Sequence, residues 1–203
     1  MWVSTTDVAA RVPFTLGFLG VMIAANWAAG TLSGRLPLRA LRNWGISHRR
    51  VVRGEAFRLL TGTFLSHDRA MFCRQLVFAA AVIGYYEWQT GTLRATLMFA
   101  GINVVGSLIV LFAILPLIAT LWPDSGLAPL RSLDVGMSAG GFGLVGTIVW
   151  QWPDPWLWLT ALLAAIAVKA WLKFELIADT AHVVCLILGV MAEAMLAAVW
   201  TAA

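Results

Sequence analysis

Charged residues are scarce in this chain. Only 12% of its 203 residues are charged, whereas 61% are hydrophobic, and the mean hydropathy is +0.84. A soluble globular domain carries about 25% charged residues. The composition therefore excludes a soluble globular domain and predicts an integral membrane protein.

Cysteine is also nearly absent, with only Cys73 and Cys185 in the chain. Both lie in apolar stretches, and their spacing fits neither a disulfide framework nor a metal site. We expect both side chains to pack as small apolar groups. We expect no metal and no cofactor.

Apolar runs bounded by charge or proline make up most of the sequence. Six of them cover 12–30, 71–86, 95–121, 136–151, 156–172 and 176–200. Because backbone groups inside a bilayer are satisfied only internally, an apolar run of roughly 20 residues predicts a helix. The sequence predicts an all-α integral membrane protein, a six-transmembrane-helix bundle forming one domain over 1–203. We expect the first run to be a retained helix, because no convincing cleavage site follows it.

The connection 31–70 holds more than half of the basic residues of the chain, against only Glu55 and Asp68 as acids. The basic residues are Arg35, Arg39, Arg42, Arg49, Arg50, Arg53, Arg58 and Arg69. Its stretch PLRALRNWGISHRR mixes arginine with Leu, Ile and Trp, which is typical of an interfacial helix on lipid headgroups. The alternative is a solvated loop attracted to anionic lipid. Either way we expect contact with membrane lipid. We do not expect nucleic-acid binding, because no aromatic platform accompanies the charge.

The fourth run contains the glycine-rich stretch LDVGMSAGGFGLVG at 133–146. Its GFGLVG matches the dinucleotide fingerprint, but that pattern has meaning only between a strand and a helix. Small residues three or four apart in a membrane helix instead permit close helix packing. In the fourth run these are Gly136, Gly140, Gly143 and Gly146. In the sixth run they are Ala178, Ala181, Cys185, Gly189 and Ala192. We therefore expect the two runs to pack tightly together.

Two polar residues on these runs suggest chemistry. Ser138 opens the fourth run, and His182 lies near the start of the sixth. A histidine inside a membrane span is costly to bury, and a neutral imidazole is the base that activates a serine hydroxyl. In the first turn of a helix, Ser138 would also lie among free N–H groups that favour an oxyanion. The alternative is structural, with a serine bonded to the preceding turn and a histidine bridging helices.

Three motifs in this order resemble the rhomboid family of intramembrane serine proteases. GMSAGGFGLVG resembles the family's Gly-x-Ser-Gly-x-x-(Phe/Tyr)-Gly on its fourth helix, and AHVVCLILG resembles Ala-His-x-Gly-Gly-x-x-x-Gly on its sixth. GEAFRLLTGTFLSH is similar to the stretch that leads into the second helix. The resemblance implies a rhomboid-like bundle, with Ser138 as nucleophile, His182 as base, and Phe142 and Gly136 supporting the histidine. It also implies transmembrane protein substrates and a location in the bacterial inner membrane.

The sequence departs from the family pattern at the oxyanion hole. The second helix of the family usually carries His-x-x-x-Asn, where this chain has Met71 and Gln75. Glutamine keeps an amide donor, whereas methionine donates nothing. The expected oxyanion hole is therefore the amide of Gln75 with the backbone N–H of Ser138.

Three further departures replace glycines of the family motifs, at Ala139, Val184 and Cys185. Val184 adds bulk where close packing with the fourth helix is expected. We expect an active serine endopeptidase. The alternative is a rhomboid-like pseudoprotease or adaptor, which binds client membrane helices without cutting them.

Charged residues also lie in the apolar runs, but they show no repeat or relay, which disfavours a transporter. Glu193 is expected to pair with Arg94 or Arg74. Asp179 shares a helical face with His182. It either contacts the imidazole or is a polar residue near the end of the span.

The orientation has two conflicting indications. The eight arginines of 31–70 favour the cytoplasmic side for this segment. The resemblance implies that both termini are cytoplasmic and that the segment lies on the opposite side. We adopt the second orientation, because much of the segment is expected to lie in the interface.

Overall fold

The structure is a computed structural model that describes residues 9–121, Leu130 and 132–202. In this part of the chain the secondary structure is helical, and β-pairing is limited to two isolated bridges. Three helices are long and apolar enough to cross a membrane, at Thr92–Leu121, Pro155–Leu172 and Leu176–Val199. For the described residues the prediction of an all-helical fold is confirmed, and three of the predicted spans are compatible with crossing a membrane.

All six apolar runs form helices, and the basic segment forms three short ones. In chain order they are α1 (Pro13–Ala29), α2 (Leu38–Trp44), α3 (His48–Val52), α4 (Arg58–Thr61), α5 (Arg69–Thr90), α6 (Thr92–Leu121), α7 (Ser138–Trp150), α8 (Pro155–Leu172) and α9 (Leu176–Ala202). The π-helical turn Val110–Ile114 interrupts α6. The start of α5 is set by Asp68, whose Oδ1 accepts the N–H of Met71 at 2.7 Å. Such a cap satisfies a free donor of the first turn.

Three of the six long helices differ from a simple membrane span. α1 has 17 residues and α7 has 13, which correspond to about 26 and 20 Å at 1.5 Å per residue. The hydrocarbon core is about 30 Å thick. α5 has 22 residues but includes Arg74 and Glu87, which lower its hydropathy. Length and composition therefore single out α6, α8 and α9.

α7 is the central helix of the fold. It packs most extensively against α9, and also against α5 and α6. A Cβ on Gly146 would collide with the backbone of Leu186, and a Cβ on Gly189 would collide with the backbone of Gly143. The expected close packing of the fourth and sixth runs is confirmed, and it depends on these glycines.

The small residues of the fourth run and those of the sixth run each form a stripe along their helix, and these two stripes do not face only each other. A Cβ on Gly140 would lie 2.8 Å from the ring of Phe99, which belongs to α6. Cys185 is buried, and its Sγ lies where a Cβ of Gly106 in α6 would be. Each stripe thus packs on α6 as well. Cys73, by contrast, is exposed on α5, so the packing role expected for it is wrong.

The stretch PLRALRNWGISHRR forms two short helices rather than one. α2 ends at Trp44, and the N–H of Gly45 directly after it donates to the carbonyl of Leu41 at 2.8 Å. The next residue, Ile46, exchanges two backbone hydrogen bonds of 2.9 Å with Asp134. Arg58 is buried and donates to the carbonyl of Gly45 at 3.2 Å. The segment is therefore tied to the chain just before Ser138, because its backbone groups bond there instead of continuing a helix.

Candidate active site at the N-terminus of α7

Ser138 is the first residue of α7, as the sequence predicts. Met137 provides no side-chain cap, so helix geometry leaves the first N–H groups without intrahelical acceptors. Asn103 of α6 bonds one of them, because its Oδ1 accepts the N–H of Gly140 at 3.2 Å. The N–H groups of Ser138 and Ala139 have no acceptor in the described part of the chain. They form a positive end that favours an anionic group.

His182 is held by an aromatic ring that belongs to the same helix as Ser138. The rings of Phe142 and His182 stack with centroids 4.2 Å apart and planes 22° from parallel. Phe142 follows Ser138 by one helical turn, so the two share a face of α7. The stacked ring therefore places the imidazole on the face that carries the serine.

Ser138, Phe142 and His182 line one cavity of about 1120 Å³. The Nε2 atom of His182 is buried and has no hydrogen-bond partner among the described residues. The structure thus brings the serine and the histidine to one cavity without a hydrogen bond between them. Catalytic hydrogen bonds are often long without substrate and tighten in the complex.

Gln75 presents an unpaired donor beside Ser138. Its side chain is 6% exposed, and its Oε1 accepts the hydroxyl of Ser66 at 2.7 Å. Its Nε2 is buried without a partner among the described residues. A Cβ on Gly136, which has φ +135°, would lie 2.5 Å from that Nε2. Only glycine lets the backbone before Ser138 pass so close to the amide. A buried donor without a partner is costly, so this one is suited to a ligand.

A chain of hydrogen bonds that the sequence motifs do not indicate orients this amide. The N–H of Ser66 donates to Oδ1 of Asn26 at 3.0 Å. The Nδ2 of Asn26 donates to the carbonyls of Met22 and Phe64, both at 2.8 Å. α1 is thereby connected to the site. In the sequence, the signal that could have indicated this connection is the amide side chain of Asn26 inside an apolar run, where burying a polar group is costly.

Asn103 is a second residue that the motifs do not indicate. It is buried, and its Nδ2 donates to Thr63 Oγ1 at 3.0 Å and to the carbonyl of Leu59 at 3.3 Å. With its bond to Gly140, it joins α6, the start of α7, and α4 with the turn that follows α4. It is the single amide side chain in the sequence of α6.

Met71 occupies space beside the site and donates nothing. A Cβ on Gly136 would lie 2.9 Å from its Cε. Its Sδ accepts the N–H of His67 at 3.4 Å. The donors available to an oxyanion are therefore Gln75 and the first turn of α7.

The lining of the cavity includes a histidine–aspartate pair. His67 Nε2 lies 3.3 Å from Oδ1 of Asp134, and both side chains are partly exposed. The hydrogen bond to Asp134 raises the pKa of His67, and it outweighs the opposing effect of burial. Asp134 Oδ1 also accepts the N–H of Val135 at 2.9 Å. The pair links the start of α5 to the segment that leads into Ser138.

Asp179 belongs to an ion-pair cluster between α8 and α9. It is buried, and it accepts Lys169 Nζ at 2.6 Å and the N–H of Glu175 at 2.8 Å. Hydrogen bonds from Lys173 and Lys169 lower the pKa of Glu175 to about 2. The carboxylate of Asp179 is thus engaged by the cluster rather than by the imidazole of His182.

Glu193 lies in a separate polar cluster. It accepts Arg94 Nη2 at 2.5 Å, Gln151 Nε2 at 3.1 Å and the hydroxyl of Tyr86 at 3.3 Å. The partner is therefore Arg94, whereas Arg74 lines the cavity beside Ser138. A buried carboxylate needs such partners to remain charged.

Among the described residues, no group of three or more His, Cys, Asp or Glu side chains is arranged to hold a metal ion. Comparison of the chain with known protein families, with curated proteins and with solved structures finds no match. Function is therefore inferred from the site itself.

Proposed function

We propose that this protein is an intramembrane serine endopeptidase of the rhomboid type. The observation that carries the proposal is the stacking of His182 on Phe142, one turn from Ser138, with centroids 4.2 Å apart. A base held by ring stacking beside a serine at a helix N-terminus has the minimum groups for acyl transfer. The proposed substrates are transmembrane segments of other proteins.

The proposal includes a six-span bundle in the bacterial inner membrane. α1, α5 and α7 cross together with the three longer apolar helices, and the bilayer thins to accommodate short spans. Irregular backbone at membrane depth is tolerated where protein or a water-filled cavity surrounds it. The segment before Ser138 meets this condition, since it lines the cavity of about 1120 Å³. The basic segment 31–70 lies on the lipid headgroups.

The chemistry follows from the positions of the donors. Ser138 Oγ attacks the scissile carbonyl carbon, and its proton passes to Nε2 of His182. The resulting oxyanion accepts hydrogen bonds from the N–H of Ser138 and from Nε2 of Gln75. His182 then gives the proton to the leaving amine as the C–N bond breaks. Water from the cavity hydrolyses the acyl-enzyme by the same route.

The histidine has no orienting carboxylate in this scheme. In a Ser-His-Asp triad, the carboxylate holds the imidazole in its tautomer and orientation. Here the stacked ring of Phe142 restrains the plane of the imidazole, and Asp179 is bonded to Lys169 instead. Substrate binding must close the Ser138–His182 hydrogen bond.

A second candidate function is an adaptor that binds client helices without cutting them. It is favoured by Met71, which donates nothing at the oxyanion position, and by the unbonded Nε2 of His182. The intact Ser138 and its adjacent donors favour the protease. The two functions differ in whether a bound transmembrane peptide is cleaved.

The test uses the purified protein in detergent, with a fluorophosphonate probe and a labelled transmembrane peptide. Wild type is expected to be labelled and to cleave the peptide. Ser138→Ala is expected to abolish labelling, and His182→Ala to lower cleavage by about 10⁴-fold or more. Ser33→Ala and His48→Ala are the matched controls, since Ser33 and His48 line neither of the cavities that Ser138 lines. Wild type that is folded and binds the peptide, but neither labels nor cleaves it, would identify the adaptor.

A further inference from the structure

A second large cavity, an open groove, lies between α1 and the basic segment 31–70. Its volume is about 570 Å³, within the range of about 300–1,000 Å³ for small-molecule sites. One wall is formed by small and apolar residues of α1. They are Val21, Ala25, Ala28 and Ala29. The lining also includes polar residues of α2, so the groove has two chemically different parts.

The groove runs along α1, which the proposed six-span bundle places in the membrane, toward α2. Its α1 residues recur every three or four positions, so they share one face of the helix. From Val21 to Ala29 the wall extends about 12 Å along the helix axis. α1 ends at Ala29, and the chain continues through the lining residue Pro37 into α2. The apolar wall therefore leads to the basic helix.

The polar end of the groove carries an unpaired guanidinium. Arg39 is exposed, and no acidic side chain of the described residues lies within ion-pair distance of it. Asn43 follows it by one turn, on the same face of α2, and also lines the groove. A guanidinium binds a phosphate with two parallel hydrogen bonds, and an amide adds another donor.

Trp44, the residue after Asn43, adds an aromatic ring to this end of the groove. It lines the same groove and is 46% exposed. Indole rings are enriched at the level of the lipid headgroups, where one edge is apolar and the other is hydrated. The groove thus offers, in order, an apolar wall, an interfacial aromatic ring and a phosphate-binding end.

We propose that this groove is a binding site for one anionic phospholipid, with an acyl chain along α1 and the phosphate on Arg39 and Asn43. The occupant is chosen by charge. The segment 31–70 has eight arginines against two acids, so it repels the amine of a zwitterionic headgroup and attracts a net negative one. A transmembrane peptide has no phosphate and would leave Arg39 against apolar surface, which is costly. The site is independent of the proposed peptidase chemistry.

The test is native mass spectrometry of the purified full chain with phosphatidylglycerol and phosphatidylcholine that have identical oleoyl chains. Wild type is expected to retain phosphatidylglycerol over phosphatidylcholine by about fivefold, the effect of one arginine near an anionic headgroup. Arg39→Gln should remove this preference. Ala28→Phe should fill the apolar wall and lower the retention of both lipids. The matched control is Arg53→Gln, because Arg53 is exposed in the same segment and does not line the groove.

Three results would overturn the proposal. They are wild type that does not distinguish the two lipids, Arg53→Gln that loses as much preference as Arg39→Gln, and a transmembrane peptide whose binding is lost in Ala28→Phe but that phosphatidylglycerol does not displace. The second result would assign the attraction to the whole basic segment rather than to the groove. All variants are compared by thermal unfolding, and the peptide measurement alone uses Ser138→Ala as the host protein so that cleavage does not enter it.

Discussion

α7 and α8 are consecutive helices with opposite surroundings. Eight of the 13 residues of α7 are buried, whereas Ile166 is the single buried residue among the 18 of α8. α7 carries glycines where it meets its neighbours, and α8 carries exposed tryptophan and leucine. Both helices are apolar, so hydropathy alone does not distinguish them. Small residues mark helix–helix contact, and the large apolar residues that α8 leaves exposed are suited to contact with lipid.

The two helices are also held in different ways. α7 is packed along its length against α5, α6 and α9, while α8 makes few contacts. A firm attachment of α8 lies at its end, where Lys169 bonds Asp179 and Glu175. Because α7 is packed along its whole length, it is a rigid scaffold for Ser138. Four predictions address the packed surroundings of α7 and the weaker attachment of α8.

The largest effect is expected from a side chain added at the α7–α9 contact. Gly146→Leu would drive a side chain into the backbone of Leu186, so we expect a loss of about 4 kcal/mol or more, or failure to fold. Ala164→Leu places the same side chain on the exposed face of α8 and should change stability by no more than about 0.5 kcal/mol. Thermal unfolding in detergent measures both. Equal losses would show that the two helices are not packed differently.

The next effect concerns activity. Gln75→Leu removes the unpaired donor beside Ser138, and we expect cleavage to fall by about 10²–10³-fold. Gln89→Leu makes the same change on the exposed end of α5 and should leave the rate unchanged. Initial rates of peptide cleavage compare the two variants. An unchanged rate in Gln75→Leu would remove this amide from the oxyanion hole.

A smaller effect is expected from Asn103, which supports the start of α7. Asn103→Leu leaves the N–H of Gly140 without its acceptor and should lower the free energy of unfolding by about 1–3 kcal/mol. Thr96→Val is the control on the same helix, since the hydroxyl of Thr96 bonds only the carbonyl of Thr92. Denaturant unfolding distinguishes them. Similar losses in the two variants would show that the hydrogen bond between Asn103 and Gly140 does not add to the free energy of unfolding.

The smallest effect is a dependence on pH at the entrance to α7. The folded pKa of His67 is raised by its bond to Asp134, so the stabilisation is complete below the unfolded value of about 6.5 and is lost as pH rises through the folded pKa. Wild type should exceed His67→Gln by less than about 1 kcal/mol at low pH, because the pair is partly exposed. The difference should vanish at higher pH. Thermal unfolding from acidic to alkaline pH measures it.

Asp134→Asn is the control for this pH effect, because an amide oxygen still accepts the N–H of Val135 but no charge remains. The difference between His67 and His67→Gln should then lose its pH dependence, and its persistence would contradict the assignment. The end of α8 should not respond in this range. The pKa of Glu175 is lowered to about 2, so its ion pairs persist at higher pH and weaken only as pH falls through that value.

The sequence predicted the helices and the motif residues more successfully than it predicted their partners. Ser138 begins a helix, and Phe142 stacks on His182, as the motifs suggested. The packing expected for Cys73 was wrong, since apolar surroundings in sequence do not tell whether a residue faces protein or lipid. The sequence also did not decide whether Glu193 pairs with Arg94 or with Arg74. That choice depends on how α5, α6 and α9 are rotated about their own axes.

The support of the site was the least predictable part. Asn26 and Ser66 orient Gln75, although Asn26 is 49 residues before Gln75 in the chain. Each amide is visible in the sequence as a polar residue inside an apolar run. Its partner is not visible, because a hydrogen bond between distant segments depends on how the helices are placed.

By itself the sequence determined that the chain is helical, where its six apolar helices lie to within about four residues at each end, and which residues have the means for chemistry. These properties are local, because hydropathy, caps and glycines act within a few turns. The tertiary structure decided that α7 is enclosed, that α8 is exposed, and that the amide of Gln75 meets Gly136 beside Ser138. Those outcomes depend on the rotation and close approach of helices, which are set by packing between residues far apart in the chain.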